Sequence, residues 1–231
     1  MIIKLLSWNI NMYNPNKPEL QNDIIKEINN QLTDEDFVIL IESSFEFISS
    51  LMKTNIKNNY KLFNSFAISH GGLINILSNK KISDIKHFPL ENPSLLINFK
   101  KDKKNVFLAG CHLYPFAENA ERRFQELLII KSMVPDNSNF IIVGDLNIRE
   151  KETKFLEKDN ILELRDSGDK RKTWFKSFFE PGTPISSRFD RLLISKNIEV
   201  KDFNLIGRKY LNQKMTLLSD HLGIKCKLEI I

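Results

Sequence analysis

Two cysteines, Cys111 and Cys226, are all that this chain of 231 residues contains, and both fall in apolar, strand-like stretches where a buried free thiol is the expected state. A disulfide-rich scaffold is thereby excluded. No stretch approaches the roughly 20 consecutive apolar residues of a membrane span, and the apolar start MIIKLLSWNI is too short for a secretory leader. These absences point to an intracellular protein with no membrane partner. Low-complexity tracts, internal repeats and linkers rich in glycine or proline are missing too, with 8 glycines and 8 prolines scattered along the chain. One domain over residues 1–231 is therefore expected, because 42% hydrophobic residues suffice for a single sizeable core. Neither sign of charge dominates. The 34 basic and 29 acidic residues leave a formal charge of +5, which suits a polyanionic partner and excludes a basic tail.

What the chain does have is an alternation of short apolar runs with amphipathic segments. Leu20, Ile24, Ile25, Ile28 and Leu32 share one helical face between Glu19 and Leu32, and Ser43 and Ser44 offer N-caps for a helix reaching about Ile56. A third helix is expected from Ala117 to Met133. Runs at Lys61–Ile68, Gly72–Ser78, Ile82–Phe88, Leu95–Phe99 and Val106–Leu113 have strand character and lie so close together that antiparallel neighbours are expected. Phe140–Gly144, Ser187–Ser195, Ile198–Ile206 and Leu222–Ile231 read as further strands. The stretch from Arg165 to Ser187 mixes charges, Gly, Pro and aromatics, and reads as a functional surface loop. The chain runs from a first strand to a last one, so no accessory or targeting domain is expected.

Five short motifs stand in an order that phosphoester chemistry can use: Ser7-Trp8-Asn9, Ile41-Glu42, Cys111-His112-Leu113, Gly144-Asp145-Leu146-Asn147 and Ser219-Asp220-His221. Four of them close an apolar run (IIKLLSWN, FVILIE, NVFLAGCH, FIIVGDLN), so buried strands would bring amide, carboxylate and imidazole groups to one sheet edge. Taken singly, each has a bland alternative: a Gly-Asp-x-Asn turn, a turn-forming asparagine, a structural histidine. Their order carries the argument.

In that order the motifs resemble the endonuclease/exonuclease/phosphatase superfamily over nearly the whole chain. The finer resemblance is to the tyrosyl-DNA phosphodiesterase 2 (TDP2) family, through Gly144-Asp145-Leu146-Asn147-Ile148-Arg149, Thr173-Trp174, Ser187-Arg188-Phe189-Asp190-Arg191, Ser219-Asp220-His221-Leu222-Gly223, and Ala120-Glu121-Arg122 with Gln125. Ile41, Leu146 and Pro115 depart from that family's pattern. The resemblance implies an α/β fold of two packed, mainly antiparallel sheets flanked by helices, a four-layer sandwich like that of DNase I. It implies Mg²⁺, with Mn²⁺ as a possible substitute, held by Glu42 and Asp220.

It also implies roles for the remaining motif residues. Asp145 is the expected general base, Asn147 its partner in aiming water or phosphate, and Asn9 a residue that either orients Glu42 or touches the phosphate. His221, oriented by Asp190, is expected to stabilise the transition state, while His112, Arg149 and Arg122 (or Arg123) would contact phosphate. Lys170, Arg171, Lys172 and Lys176 interleave with Trp174 and Phe175, the combination that grips single-stranded nucleic acid, with Trp174 as the stacking platform. The implied partner is DNA carrying a 5′-tyrosyl-linked protein or peptide, at a single-stranded or frayed end, cut by a monomer. A phenolate leaving group, with a pKa near 10, needs little help from a general acid, and the motifs hold no obvious strong acid. Other superfamily reactions, on apurinic sites, RNA ends or phosphoinositides, are the alternatives, with a catalytically inactive interaction module on the same fold as a rival from another class.

Overall fold

The computed structural model describes residues 1–12, 20–65, 73–88, 91–158, 163–176, 185–211 and 214–231. Parts of the expected Lys61–Ile68 strand and of the Arg165–Ser187 loop, and Glu19, lie outside these residues. Among them, the strands form two six-stranded sheets and two short ribbons. One sheet has the order β13 (Ile198–Ile206), β16 (Gly223–Ile230), β1 (Ile2–Asn9), β2 (Phe37–Ser43), β4 (Leu73–Ser78), β3 (Lys61–Asn64). The other runs β5 (Ile82–His87), β6 (Ser94–Lys101), β7 (Lys104–His112), β8 (Asn139–Asp145), β12 (Asp190–Ser195), β9 (Leu164–Asp166). The ribbons pair β10 (Trp174–Phe175) with β11 (Ser186–Ser187), and β14 (Arg208–Leu211) with β15 (Lys214–Leu217). Helices α1 (Gln21–Gln31), α2 (Phe45–Leu51), α3 (Ile56–Asn59), α4 (Ala120–Ser132) and α5 (Glu150–Lys158) complete the named elements.

The apolar runs form strands because the central strands of each sheet are covered on both faces. Between the sheets lie Leu5, Ile39, Ile76, Ile97, Leu108, Ile141, Val143 and Ile224, all fully buried. Leu6, Trp8, Val38 and Leu40 turn the other way, onto Ile24 and Ile28 of α1 and Phe47 of α2, while Ala109 and Ile142 meet Leu127 and Ile130 of α4. The result is the four-layer α/β sandwich. The helix expected from Ser44 to about Ile56 is divided: Ser44 caps it, its Oγ accepting from the Phe47 amide at 3.1 Å, but α2 ends at Leu51 and α3 begins at Ile56.

One topological detail positions the site. Most neighbouring strands are antiparallel, but β1 pairs with β2, and β7 with β8, in parallel, through the crossovers that contain α1 and α4. Parallel pairing brings the C-terminal ends of two strands together, so Asn9 lies beside Ile41 in one sheet and His112 beside Asp145 in the other. Stacking the sheets then gathers all four ends. Gly144 allows the second pair to close up: its φ is +144°, and a Cβ there would lie 2.1 Å from the Cys111 carbonyl oxygen. Trp8 connects core and site. It is fully buried beside Gly223, where a Cβ would come within 2.8 Å of the indole, and its Nε1 donates to the His221 carbonyl at 3.0 Å.

Candidate active site

A cavity of about 620 Å³ opens over these strand ends, with Glu42, His112, Asp145, Asp220 and His221 in its walls. Glu42 reaches it because the β2–β4 ladder skips a residue between Ile41 and Ser43, leaving Glu42 bulged at φ 54° with its carboxylate half-buried. Asn9 is fully buried beneath it. The Asn9 Nδ2 donates to Glu42 Oε1 at 2.9 Å and to Asp145 Oδ2 at 3.1 Å, so one amide holds two carboxylates from different sheets. The Asn9 Oδ1 accepts from the Asn11 amide at 3.0 Å, which fixes which way the carboxamide faces.

The histidines complete the cluster. His112 Nε2 lies 3.5 Å from Glu42 Oε1 and 3.7 Å from Asp145 Oδ2, and His221 Nε2 lies 3.6 Å from Asp145 Oδ2. Behind His221, its Nδ1 is 2.8 Å from Asp190 Oδ2. Asp190 opens β12 opposite Asp145 and is fixed there by the Thr173 Oγ1, which accepts from the amides of Phe189 and Asp190 at 3.1 and 3.0 Å. Burial works to lower the His221 pKa, but the charges of Asp190 and Asp145 and the Asp190 hydrogen bond outweigh it and push it up to about 10. Burial, reinforced by the Asp190 charge, pushes the Asp145 carboxyl above the usual carboxylate range against the opposing pull of His221. A cationic imidazole and a carboxylate of raised basicity thus face one cavity.

A divalent cation fits this donor set. One ligand atom each from Glu42, His112 and Asp145 lies within 4.8 Å of the others, and two carboxylates sharing a single amide donor leave negative charge for a cation to balance. Asp220, expected beside Glu42 as a metal ligand, lies outside this group. Its Oδ1 accepts from Asn11 Nδ2 at 2.7 Å and its Oδ2 from Trp174 Nε1 at 3.3 Å, so rim N–H groups hold both oxygens.

The remaining expected residues are placed as follows. Asn147, at φ 52°, donates its backbone N–H to Asp145 Oδ1 at 3.1 Å and its Nδ2 to the Leu113 carbonyl at 3.0 Å, so it aims the Asp145 carboxylate. Arg149 lines the cavity with its guanidinium 5.4 Å from the Phe189 ring centre, and its Nη1 donates to the carbonyls of Phe116 and Asn147 at 3.0 and 3.2 Å. Trp174, half-buried, also lines it, 5.2 Å from the Phe189 ring. Of the basic run only Lys176 joins the lining; Arg171 pairs with Asp169 at 2.6 Å.

Arg122 does not reach the cavity walls. It is exposed on α4, 4.8 Å from the Tyr114 ring centre and 3.8 Å from Glu91, because one step along a helix turns a side chain by about 100°. Its neighbour Arg123 points inward. That guanidinium is 1% exposed, forks onto Glu152 at 2.8 and 2.9 Å, and donates to the carbonyls of Tyr114 at 2.8 Å and Phe116 at 2.7 Å. Arg188 and Arg191 share Asp166 at 2.6 and 2.7 Å, and Arg191 Nη2 holds the Ile148 carbonyl at 2.8 Å, so Arg191 braces the turn after Asp145.

Two cavity residues carry no sequence signal: Asn11 and Phe116. Phe116 has φ 66° and ψ 155°, a region open in practice only to glycine, and holding it there costs about 1–3 kcal/mol. Both cysteines are buried free thiols, and burial pushes the Cys111 thiol up to about 12.

Comparison with known proteins agrees with this architecture. Among solved structures, TDP2 from C. elegans is 21% identical with a TM-score of 0.78, covering 99% of this chain and 75% of that one. D. rerio TDP2 complexed with single strand DNA product is 19% identical with a TM-score of 0.79 and 99% coverage of both chains. An endonuclease/exonuclease/phosphatase family protein from Bacteroides thetaiotaomicron is 15% identical, with a TM-score of 0.73 and coverage of 99% of this chain and 97% of that one. At these identities the likeness is one of fold. No curated protein sequence matches. Residues 6–221 match the Endonuclease/Exonuclease/phosphatase family, and across that span lie the strand ends that build the cavity: the chain belongs to this family.

Proposed function

We propose that the protein is a Mg²⁺-dependent phosphodiesterase, able to use Mn²⁺ in its place, that removes tyrosyl-linked peptide or protein from DNA 5′ ends and leaves a 5′-phosphate. The observation that carries this reading is the convergence of Glu42, Asp145 and the His221–Asp190 pair on one cavity whose rim holds Arg149 and Trp174. Glu42, with His112 beside it, would hold the cation, and Asp145 faces the same cluster as the base. When bound, the cation would neutralise charge on the phosphoryl oxygens. Asp145, held by Asn9 and the Asn147 amide, takes the proton of the attacking water. His221 meets the charge that develops on the phosphoryl group through Nε2, while Asp190 keeps the imidazolium oriented through Nδ1. Arg149 supplies a second cation for a flanking phosphate.

Tyrosine is the proposed leaving group because a phenolate of pKa about 10 departs without strong acid assistance, and no acid beyond the groups named here is required. Single-stranded DNA as the partner is supported by Trp174 at the rim and by the D. rerio TDP2 structure, which is complexed with single strand DNA product. Residues 1–231 would act as one catalytic domain and as a monomer, in an intracellular setting. Among the described residues no helix is long and apolar enough to cross a membrane.

The deciding assay is a panel of end-labelled oligonucleotides bearing 5′-tyrosyl, 3′-tyrosyl or abasic lesions, with Mg²⁺ and with EDTA. Release of tyrosine from the 5′-tyrosyl strand, lower activity on the 3′ strand and silence in EDTA are expected. Incision of abasic duplex with an inert 5′-tyrosyl strand would assign the chemistry to apurinic sites instead, and inertness on every strand would leave an interaction module. A linked expectation concerns Trp174. Trp174→Ala should weaken strand binding by about 1–3 kcal/mol with a smaller effect on kcat. Its half-buried ring predicts a stability loss below the roughly 3–5 kcal/mol of a core tryptophan. A large drop in Tm with unchanged affinity would make Trp174 a packing residue only.

A further inference from the structure

Phe116 is held at a cost and left uncovered. Its side chain is 64% exposed, yet its backbone occupies a conformation that an L residue avoids and glycine adopts freely. Burial does not explain the phenyl ring, since it is among the exposed large hydrophobic side chains. The structure does hold the backbone in place. Arg123, almost wholly buried and forked onto Glu152, donates to the Phe116 carbonyl, and Arg149 donates to the same oxygen at 3.0 Å. Glu152 Oε2 also accepts from the Arg149 amide at 3.3 Å, so one buried ion pair sets both residues. The rim of the cavity then runs from Phe116 to Arg149, to Phe189 under that guanidinium, and on to Trp174 against Phe189. An aromatic ring, a cation and a second aromatic platform follow one another, as bases and phosphates follow one another along a strand.

From this we infer that Phe116 is a second base-stacking residue. It takes an unpaired nucleobase of the same strand that lies on Trp174, with Arg149 on a phosphate between them, and Arg123 and Glu152 act as positioning residues. The inference rests on the proposed nucleic-acid substrate. It adds a specificity determinant that requires at least two consecutive unpaired nucleotides.

Fluorescence anisotropy with an end-labelled, 5′-phosphorylated oligothymidylate in Mg²⁺ tests it, using the wild type and three variants. Phe116→Ala should weaken binding about 5- to 150-fold, the range for losing one stacked base, and Phe116→Trp should restore it. On a strand of equal length whose first nucleotides lack bases, wild type and Phe116→Ala should bind alike. Phe116→Gly should bind as weakly as Phe116→Ala while melting at or above the wild-type temperature, because glycine relieves the backbone. Equal binding by wild type and Phe116→Ala on the base-bearing strand overturns the inference. So does an equal loss on the base-free strand, or a steep fall in Tm for Phe116→Gly. Turnover of a 5′-tyrosyl oligonucleotide, measured in parallel, separates this from the proposed function. If the tyrosyl ester is inert while Phe116-dependent binding holds, the proposed reaction fails alone. If the ester is cut equally well by Phe116→Ala and the strand bound equally well, the stacking role fails alone. If the wild type binds no strand, both fall.

Discussion

Asp145→Asn is expected to lower kcat by about 10²- to 10⁴-fold, the range for removing a positioned general base, and Glu42→Gln and His221→Ala should each fall in the same range. The three residues come from different strand ends yet meet through short contacts: Asn9 joins Glu42 to Asp145, and Asp145 lies 3.6 Å from His221. They act as one unit, so a double variant should lose far less than the product of the single losses. Stability should respond differently from activity. Removing negative charge from a site where two carboxylates share an amide costs the fold little, so circular dichroism and Tm should hold for Glu42→Gln. A kcat that survived any one of these substitutions would remove that residue from the chemistry, and a proportional loss of folded protein would turn the effect into one of packing.

Asp190→Asn should act through His221, and its signature is a pH profile. In the wild type the imidazolium persists from neutral pH up to about 10, because Asp190 and Asp145 outweigh the burial that opposes charge. The cation is the active form in the proposed mechanism, so activity is lost as pH rises through that value. Without the Asp190 charge the His221 pKa falls toward the ordinary value of about 6.5. The alkaline limb of kcat should therefore move about three pH units toward neutrality, and the loss relative to wild type should deepen to roughly 10²-fold by pH 9. The same linkage bears on stability. A His whose pKa is raised on folding contributes stability that is complete below the unfolded value of about 6.5 and disappears as pH rises through about 10. Wild type and Asp190→Asn should thus differ most in Tm on the acid side of that window and converge above it. An unmoved alkaline limb would show that Asp190 only packs against the ring.

Much of the architecture could be read without coordinates, for reasons that are local. FVILI and FIIVG are continuous apolar runs because strands at the centre of two packed sheets are covered on both faces, and Glu42 and Asp145 were visible as acids that terminate such runs. Helix α4 announced itself by the spacing of Leu127 and Leu128 with Phe124, although its register could not say which of two successive arginines faces inward. Arg123 is buried and Arg122 exposed. Helix α5 and the β14–β15 ribbon gave no comparable signal. α5 is mostly charged, and pairing across a short ribbon adds no apolar period.

The site divides along the same line. By itself the sequence determined the strand-end chemistry: which carboxylates, amides and imidazoles stand after which apolar runs, and in what order, because those properties belong to single segments and to their succession. Only the tertiary structure decided how the groups combine. That Asn9 donates to two carboxylates, that His112 and Asp145 lie with Glu42 in one cluster, and that Phe116 stands exposed in a glycine-like conformation all depend on contacts between segments far apart in the chain. Such contacts are fixed by a bulge in β2, the parallel pairing of β1 with β2 and of β7 with β8, and the stacking of one sheet on the other, and none of these leaves a periodicity in the sequence to be read.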